Sequence, residues 1–292
     1  MIRSVFLSAL ALLLAISGNV NAAVPKTFVK QSLLHKELSV RGGAGPLDAT
    51  TAAKIAGAIG LTQGVSQALA PTANLELYGS SKPVNPLTVH MIRRIGLFLL
   101  IPSIFAYCLL FKNYSMNTAF ALGALIWIVE TLHTLLNDAP SKIGYSKVGD
   151  VVILLISSAT FFSTSNNLDW APTAMKVQAG LVLGSGLSCS ISSNFAARLW
   201  EIKNTDNFSK PLLSIFGLNM LGAGVAAATL AWDKGDVVKA MGNWALTLLV
   251  LGIKFDFITK EIDLMENISN ISKALGYFWM VIMAGLAASI LL

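Results

Sequence analysis

Two apolar stretches separated by four residues set the terms for the whole chain: Val89 to Phe111 and Met116 to Leu136, joined by the turn Lys112 to Ser115. Each offers about 20 apolar residues, the length a helix rising 1.5 Å per residue needs to cross ~30 Å of hydrocarbon. Composition points the same way. Hydrophobic residues make up 54% and charged residues 12% of the chain, against about 45–50% and about 25% in soluble domains. Such a chain cannot cover itself with a polar surface. The net charge of +6 is scattered between apolar spans instead of forming a stripe, which argues against a nucleic-acid partner. The lipid bilayer and other membrane proteins are the partners it implies.

The N-terminus has the three parts of a signal peptide: Arg3, the apolar run Val5 to Ile16, and the small residues Val20-Asn21-Ala22, with cleavage before Ala23. Residues 23–51 read as a flexible basic arm, with Lys26, Lys30, Lys36 and Arg41 against Glu37 and Asp48 and the turn-like Gly42-Gly43-Ala44-Gly45-Pro46. A signal peptide followed by this tract and Val40-Arg41-Gly42-Gly43-Ala44 resembles the leaders of diatom-type algal precursors, although Ala23 follows the cleavage site where plastid signals of that type place a Phe. The resemblance implies a membrane of the secretory pathway or, through it, a complex plastid.

Ala52 to Ala70 is only mildly hydrophobic, but Ala56, Gly60, Gly64 and Ala68 recur every four residues, a groove of small side chains that lets another helix approach closely. Counting it as a span gives eight: Ala53 to Ala70, Val89 to Phe111, Met116 to Leu136, Val148 to Ser163, Met175 to Ala196, Pro211 to Ala231, Val237 to Lys254 and Lys273 to Leu291. Eleven Lys and Arg then fall on one side and four on the other. The positive-inside tendency puts the eleven on the cytosolic or stromal side and both termini on the lumenal side.

An internal repeat gives the same count. A shift of 122 brings Lys54, Leu61, Gly64, Ser66 and Leu77 onto Lys176, Leu183, Gly186, Ser188 and Leu199, and a shift of 121 brings Gly96-Leu97 onto Gly217-Leu218. The expected architecture is therefore all-α: two four-helix membrane repeats, residues 52–165 and 172–292, related by an axis along the membrane normal. Gly60, Gly64, Leu75-Glu76-Leu77-Tyr78-Gly79 and Arg94-Ile95-Gly96 make this unit similar to the DoxX-like group of small membrane proteins. That resemblance implies a fold more than a reaction, since some members are linked to quinone or thiol oxidation and most have no assigned chemistry.

The polar residues inside the spans are the candidate sites. Glu130 and His133 are three apart on one helix face, and Arg93 and Arg94 enter the antiparallel neighbour at about the same depth. A charge buried unpaired there costs about 2.5–3.5 kcal/mol or more. The spacing predicts either an ion pair between Glu130 and Arg94 or Arg93 that locks the hairpin, or a proton relay or substrate site with His133 titrating near neutrality. Glu130 and His133 also fit half of a di-iron carboxylate site, but the repeat puts Leu251 and Lys254 at the matching positions, so no metal is expected. Asn219 and Asn243 need hydrogen-bond partners within their spans and are candidates for a cavity between the repeats; Gly180, Gly184, Ser188 and Ser192 form a second packing stripe. Cys108 and Cys189 read as small apolar residues, and no cofactor is implied. Three functions remain open: a non-enzymatic accessory or assembly component, a small-molecule or proton-coupled transporter, and, on the DoxX-like resemblance alone, a membrane oxidoreductase.

Overall fold

The computed structural model describes residues 47–77, 85–203, 205–206, 208–265 and 270–292. The expected leader, residues 23–46 of the arm, and Tyr78 and Gly79 of the DoxX-like motif lie outside that set. Among the described residues the protein is entirely helical. The long helices are α1 (Ala49–Leu69), α3 (Pro86–Ala106), α4 (Met116–Leu136), α6 (Val148–Ser165), α7 (Ala171–Ile191), α9 (Ser209–Trp232), α10 (Val237–Ile253) and α11 (Asn270–Leu291). Short helices α2 (Pro71–Leu77), α5 (Ala139–Ile143) and α8 (Ser193–Leu199) join them. Helices α3 and α10 each continue into a π-helical turn, Tyr107–Phe111 and Lys254–Ile258.

Among the described residues, six helical stretches are long and apolar enough to cross a membrane: Pro86–Phe111, Met116–Leu136, Val148–Ser165, Ser209–Trp232, Val237–Ile258 and Lys273–Leu291. The chain is thus compatible with a membrane protein. Helices α1 and α7 stand apart from the six. Both have 21 residues, but Gly, Ser, Thr and Gln dilute their hydropathy.

Helix ends follow local chemistry. Asp48 caps α1, its carboxylate accepting from Thr51 N–H at 3.0 Å, so residues 49–51, read from sequence as the end of the arm, are helical. Asn85 caps α3 with Pro86 at the first turn, and Ser115 caps α4. The expected span Met175 to Ala196 is broken: Ser192 adopts φ −162° and ψ 155° and caps α8 by accepting from Phe195 N–H at 3.1 Å.

Helix α1 lies antiparallel along α3 at contact distance. A β-carbon at Gly57 would stand 2.6 Å from Ala106 Cβ, one at Gly64 2.7 Å from the Gly96 carbonyl, and one at Gly96 2.7 Å from Ala68 N. Helix α7 lies against α9 in the same way: a β-carbon at Gly186 would fall 2.3 Å from the Leu221 backbone, one at Gly217 2.5 Å from the Cys189 backbone and one at Gly224 2.6 Å from the Leu183 backbone. The stripe anticipated on α7 is not the one that packs, for a β-carbon at Gly184 would meet nothing within 4 Å. Helices α3 and α9 pack on each other in the middle, with Phe98 edge-on to Phe216 at 5.4 Å between ring centres. Helix α6 lies beside α4, and α11 beside α10.

Candidate functional site

The buried ionic residues collect where α3, α4 and α6 come together. Arg94 sits nine residues into α3, one helical turn beyond His90. Asp150 sits in the first turn of α6, where a carboxylate is favoured by the exposed N–H groups and the helix dipole. Arg94 Nη2 donates to Asp150 Oδ1 at 2.6 Å, with the two side chains 4% and 0% exposed. The other carboxylate oxygen, Oδ2, accepts the Tyr145 hydroxyl at 2.7 Å. The same hydroxyl lies 3.3 Å from His90 Nε2, and the His90 and Tyr145 rings stack with centres 5.4 Å apart.

Tyr145 is held in place by the chain's second half. Gly144, with φ 86°, ends α5 and turns the backbone toward Trp200. Ser146 N–H then donates to the Trp200 carbonyl at 3.0 Å, and Lys203 N–H to the Gly144 carbonyl at 3.1 Å. The Trp200 ring lies so close to Gly149 that a β-carbon there would fall 2.4 Å from it. This seats the first turn of α6, and with it Asp150. Burial pushes the Tyr145 phenol well above its ordinary pKa; the Arg94 guanidinium opposes that, and the Asp150 and Glu130 carboxylates add to it. The hydroxyl therefore stays protonated and donates.

Glu130 and the arginines are near one another but are not paired as the sequence suggests. Arg94 takes Asp150, and Glu130, 4% exposed on α4, accepts the Thr134 hydroxyl at 3.4 Å. The arginines that act on Glu130 from nearby are Arg94 and Arg93. One arginine thus serves two carboxyl groups, Asp150 by contact and Glu130 at longer range. Arg93 is half-buried on α3 and His133 half-buried in the last turn of α4. Sequence reading missed Asp150, His90 and Tyr145. A lone Asp in the first turn of an apolar span was a signal for the first, and a histidine one turn before Arg94 for the second.

Asn219 and Asn243 do not join this cluster. Asn219 donates to the Ile215 carbonyl of its own helix at 2.8 Å, and Asn243 donates to Thr229 Oγ1 at 3.1 Å, tying α10 to α9. Asn219 lines a cavity of about 500 Å³ between α1, α3, α9, α10 and α11, with Gln63, Asp256 and Trp279 among its other walls. A second cavity of about 350 Å³ lies between α3, α4, α6, α7 and α9, against Trp127, Gln178 and Trp200. Arg94, Asp150, Tyr145, His90 and Glu130 line neither. Among the described residues no group of three or more His, Cys, Asp and Glu side chains is placed to hold a metal ion. What the ionic cluster can do chemically is hold: it joins α3 to α6 and to the loop that carries Tyr145. Compared with family models, curated proteins and solved structures, the chain finds no match.

Proposed function

We propose that the chain is a duplicated four-helix bundle threaded eight times through a bilayer, and that it serves as an accessory or assembly component of a membrane, its buried charges locking the fold. The observation that carries the second part is the pairing inside the ionic cluster. Arg94 Nη2 is held by Asp150 and Asp150 by Tyr145, Arg94 Nε–H being left without a partner, and none of the three residues lines either cavity. A transport pathway would turn such groups toward an open space.

The duplication is supported by register. Helices α1 and α2 start at 49 and 71, and α7 and α8 at 171 and 193, with equal lengths in each pair. Shifted by 122 and 121, the approach of Gly96 to Gln67 and Ala68 becomes the approach of Gly217 to Cys189 and Ser190, and that of Gly64 to Leu100 becomes that of Gly186 to Leu221. Asn85 and Asp206, which differ by 121, touch each other at 2.9 Å, as equivalent positions beside an axis between α3 and α9 would. The eight crossings are supported by α1 and α7 lying antiparallel along two of the apolar helices and so sharing their depth.

The test is proton flux in proteoliposomes holding a pH-sensitive dye. Wild type and Glu130→Gln are expected to leak protons no faster than empty vesicles. Flux that depends on the protein and is lost in Glu130→Gln, with the melting temperature unchanged, would replace this reading with the transport one. Orientation is checked separately: Asn270-Ile271-Ser272 is a glycosylation acceptor on the side assigned to the cytosol or stroma, so Asn270 is expected to remain free of sugar in cells.

A further inference from the structure

The cavity of about 350 Å³ falls in the range of small-molecule sites, about 300–1,000 Å³. Along α6 it extends from Val148 to Ser157, roughly 14 Å at 1.5 Å per residue. It therefore reaches from one end of α6 to the mid-height of α4 and α7, where Trp127 and Gln178 stand. Phe98, Trp200 and Val152 make its wall largely aromatic and aliphatic, and Glu201 is its one charged lining residue. An anionic occupant would lose its hydration there and face the Glu201 carboxylate.

The polar groups at the inner end differ in what they still need. Gln178 Nε2 already donates to Ser157 Oγ at 3.3 Å. The indole N–H of Trp127 has no acceptor, although Trp127 is only 3% exposed. Buried N–H groups in folded proteins are nearly always paired, so the unpaired one on Trp127, which lines this cavity and a smaller one of about 20 Å³ beside α7 and α9, marks a place for an acceptor from outside the chain.

We propose that this cavity binds a lipid-soluble molecule whose buried end carries a carbonyl oxygen, which accepts from Trp127 Nε1–H. A carbonyl accepts from the indole without bringing a donor of its own, and so asks nothing further of the wall. The proposal concerns a different region from the ionic cluster and stands without any reading of it. Two natural sources share this chemistry, the ester of an acyl chain and the ketone of a ring compound.

The experiment uses the full chain, purified in detergent and stripped of lipid, with occupancy read by native mass spectrometry. The probes are tridecan-2-one for the chain carbonyl, β-ionone for the ring carbonyl, and tridecane for a chain without oxygen. At least one carbonyl probe is expected to exceed tridecane in affinity by about 3- to 10-fold, the worth of one hydrogen bond. Trp127→Phe keeps a ring and removes the N–H, and should bring that probe down to the level of tridecane. Val152→Trp fills the cavity from the α6 wall and should abolish binding of every probe, which keeps the test open should Trp127→Phe fold poorly. Preference for β-ionone would identify the ring source, and preference for tridecan-2-one the acyl source. Equal binding of tridecane, a preference that survives Trp127→Phe, or binding undiminished in Val152→Trp would each overturn the proposal.

Discussion

In the first half of the chain, α6 is joined to α3 by Arg94 and Asp150 at 2.6 Å, with Tyr145 closing the second carboxylate oxygen. In the second half, the last helix meets α10 at Gly242, where a β-carbon would fall 2.6 Å from Ile290, and α7 meets α9 backbone to backbone at Gly186, Gly217 and Gly224. Lipid gives apolar helices little reason to leave it for one another, so a bundle must rely on close van der Waals contact or on polar contacts worth more than those with lipid. Both halves seat their first helix on glycines, but the first half holds its outer helix by charge and the second packs its outer helix at a glycine. The difference shows in what each can tolerate: an ion pair fails when one partner is lost, and a glycine contact fails when an atom is added.

The largest effect should come from splitting the ion pair. Asp150→Leu leaves the Arg94 guanidinium buried without its anion, which costs about 3–5 kcal/mol in comparable sites. Arg94→Leu with Asp150→Leu should recover most of that loss, because a well-packed apolar replacement of a buried pair is often neutral. Thermal unfolding in detergent measures both. If the double variant were as unstable as the single one, the cluster would be doing more than holding α3 to α6.

The second half is tested by adding one methyl group. Gly186→Ala places a β-carbon 2.3 Å from the Leu221 backbone, which cannot move aside as a side chain can. The expected loss is about 1–3 kcal/mol. Two residues earlier on the same helix, Gly184→Ala meets open space and should stay within about 0.5 kcal/mol of the parent. Equal losses from the two would mean that α7 and α9 are not in contact as described. In the first half, Tyr145→Phe removes one hydrogen bond to Asp150 while Arg94 remains, and the same unfolding measurement should show a loss of about 1.5 kcal/mol.

These contrasts also separate what was legible in the sequence from what was not. The apolar runs of α3, α4, α6, α9, α10 and α11 could be read directly, because the length of such a run and the placement of a helix in lipid are the same physical fact. The small-residue stripe Ala56, Gly60, Gly64 and Ala68 could be read because it needs only its own helix, and all four residues are buried. Arg94 was legible as a charge needing a partner. Which carboxylate it would take was not, since Glu130 on the adjacent α4 and Asp150 on α6 differ only in how the helices are rotated, and rotation is set by contacts far away in sequence. Trp200 against Gly149, which seats the start of α6, is such a contact. The break at Ser192 left a local signal, the polar Ser192-Ser193-Asn194 inside the run Met175 to Ala196, and it is the Ser192 cap on Phe195 N–H that divides the run there.

The smallest expected effect lies where the two halves touch at the starts of α3 and α9. Burial raises the Asp206 carboxyl, but the Ser209 N–H at 2.6 Å, the Asn85 amide at 2.9 Å and the Phe208 N–H at 3.1 Å outweigh it and hold its pKa below the ordinary carboxylate value. A carboxyl lowered in the folded state stabilises it above the unfolded pKa, about 3.9, and loses that contribution as the pH falls through the folded value. Asp206→Asn should therefore melt slightly lower than the parent at pH 7, by under about 1 kcal/mol because the site is exposed. The gap should close as the pH drops below about 4. A gap of constant size from pH 7 to pH 3 would mean that the contact between Asn85 and Asp206 works through shape alone. The charge at this junction would then contribute nothing to holding α9 against α3.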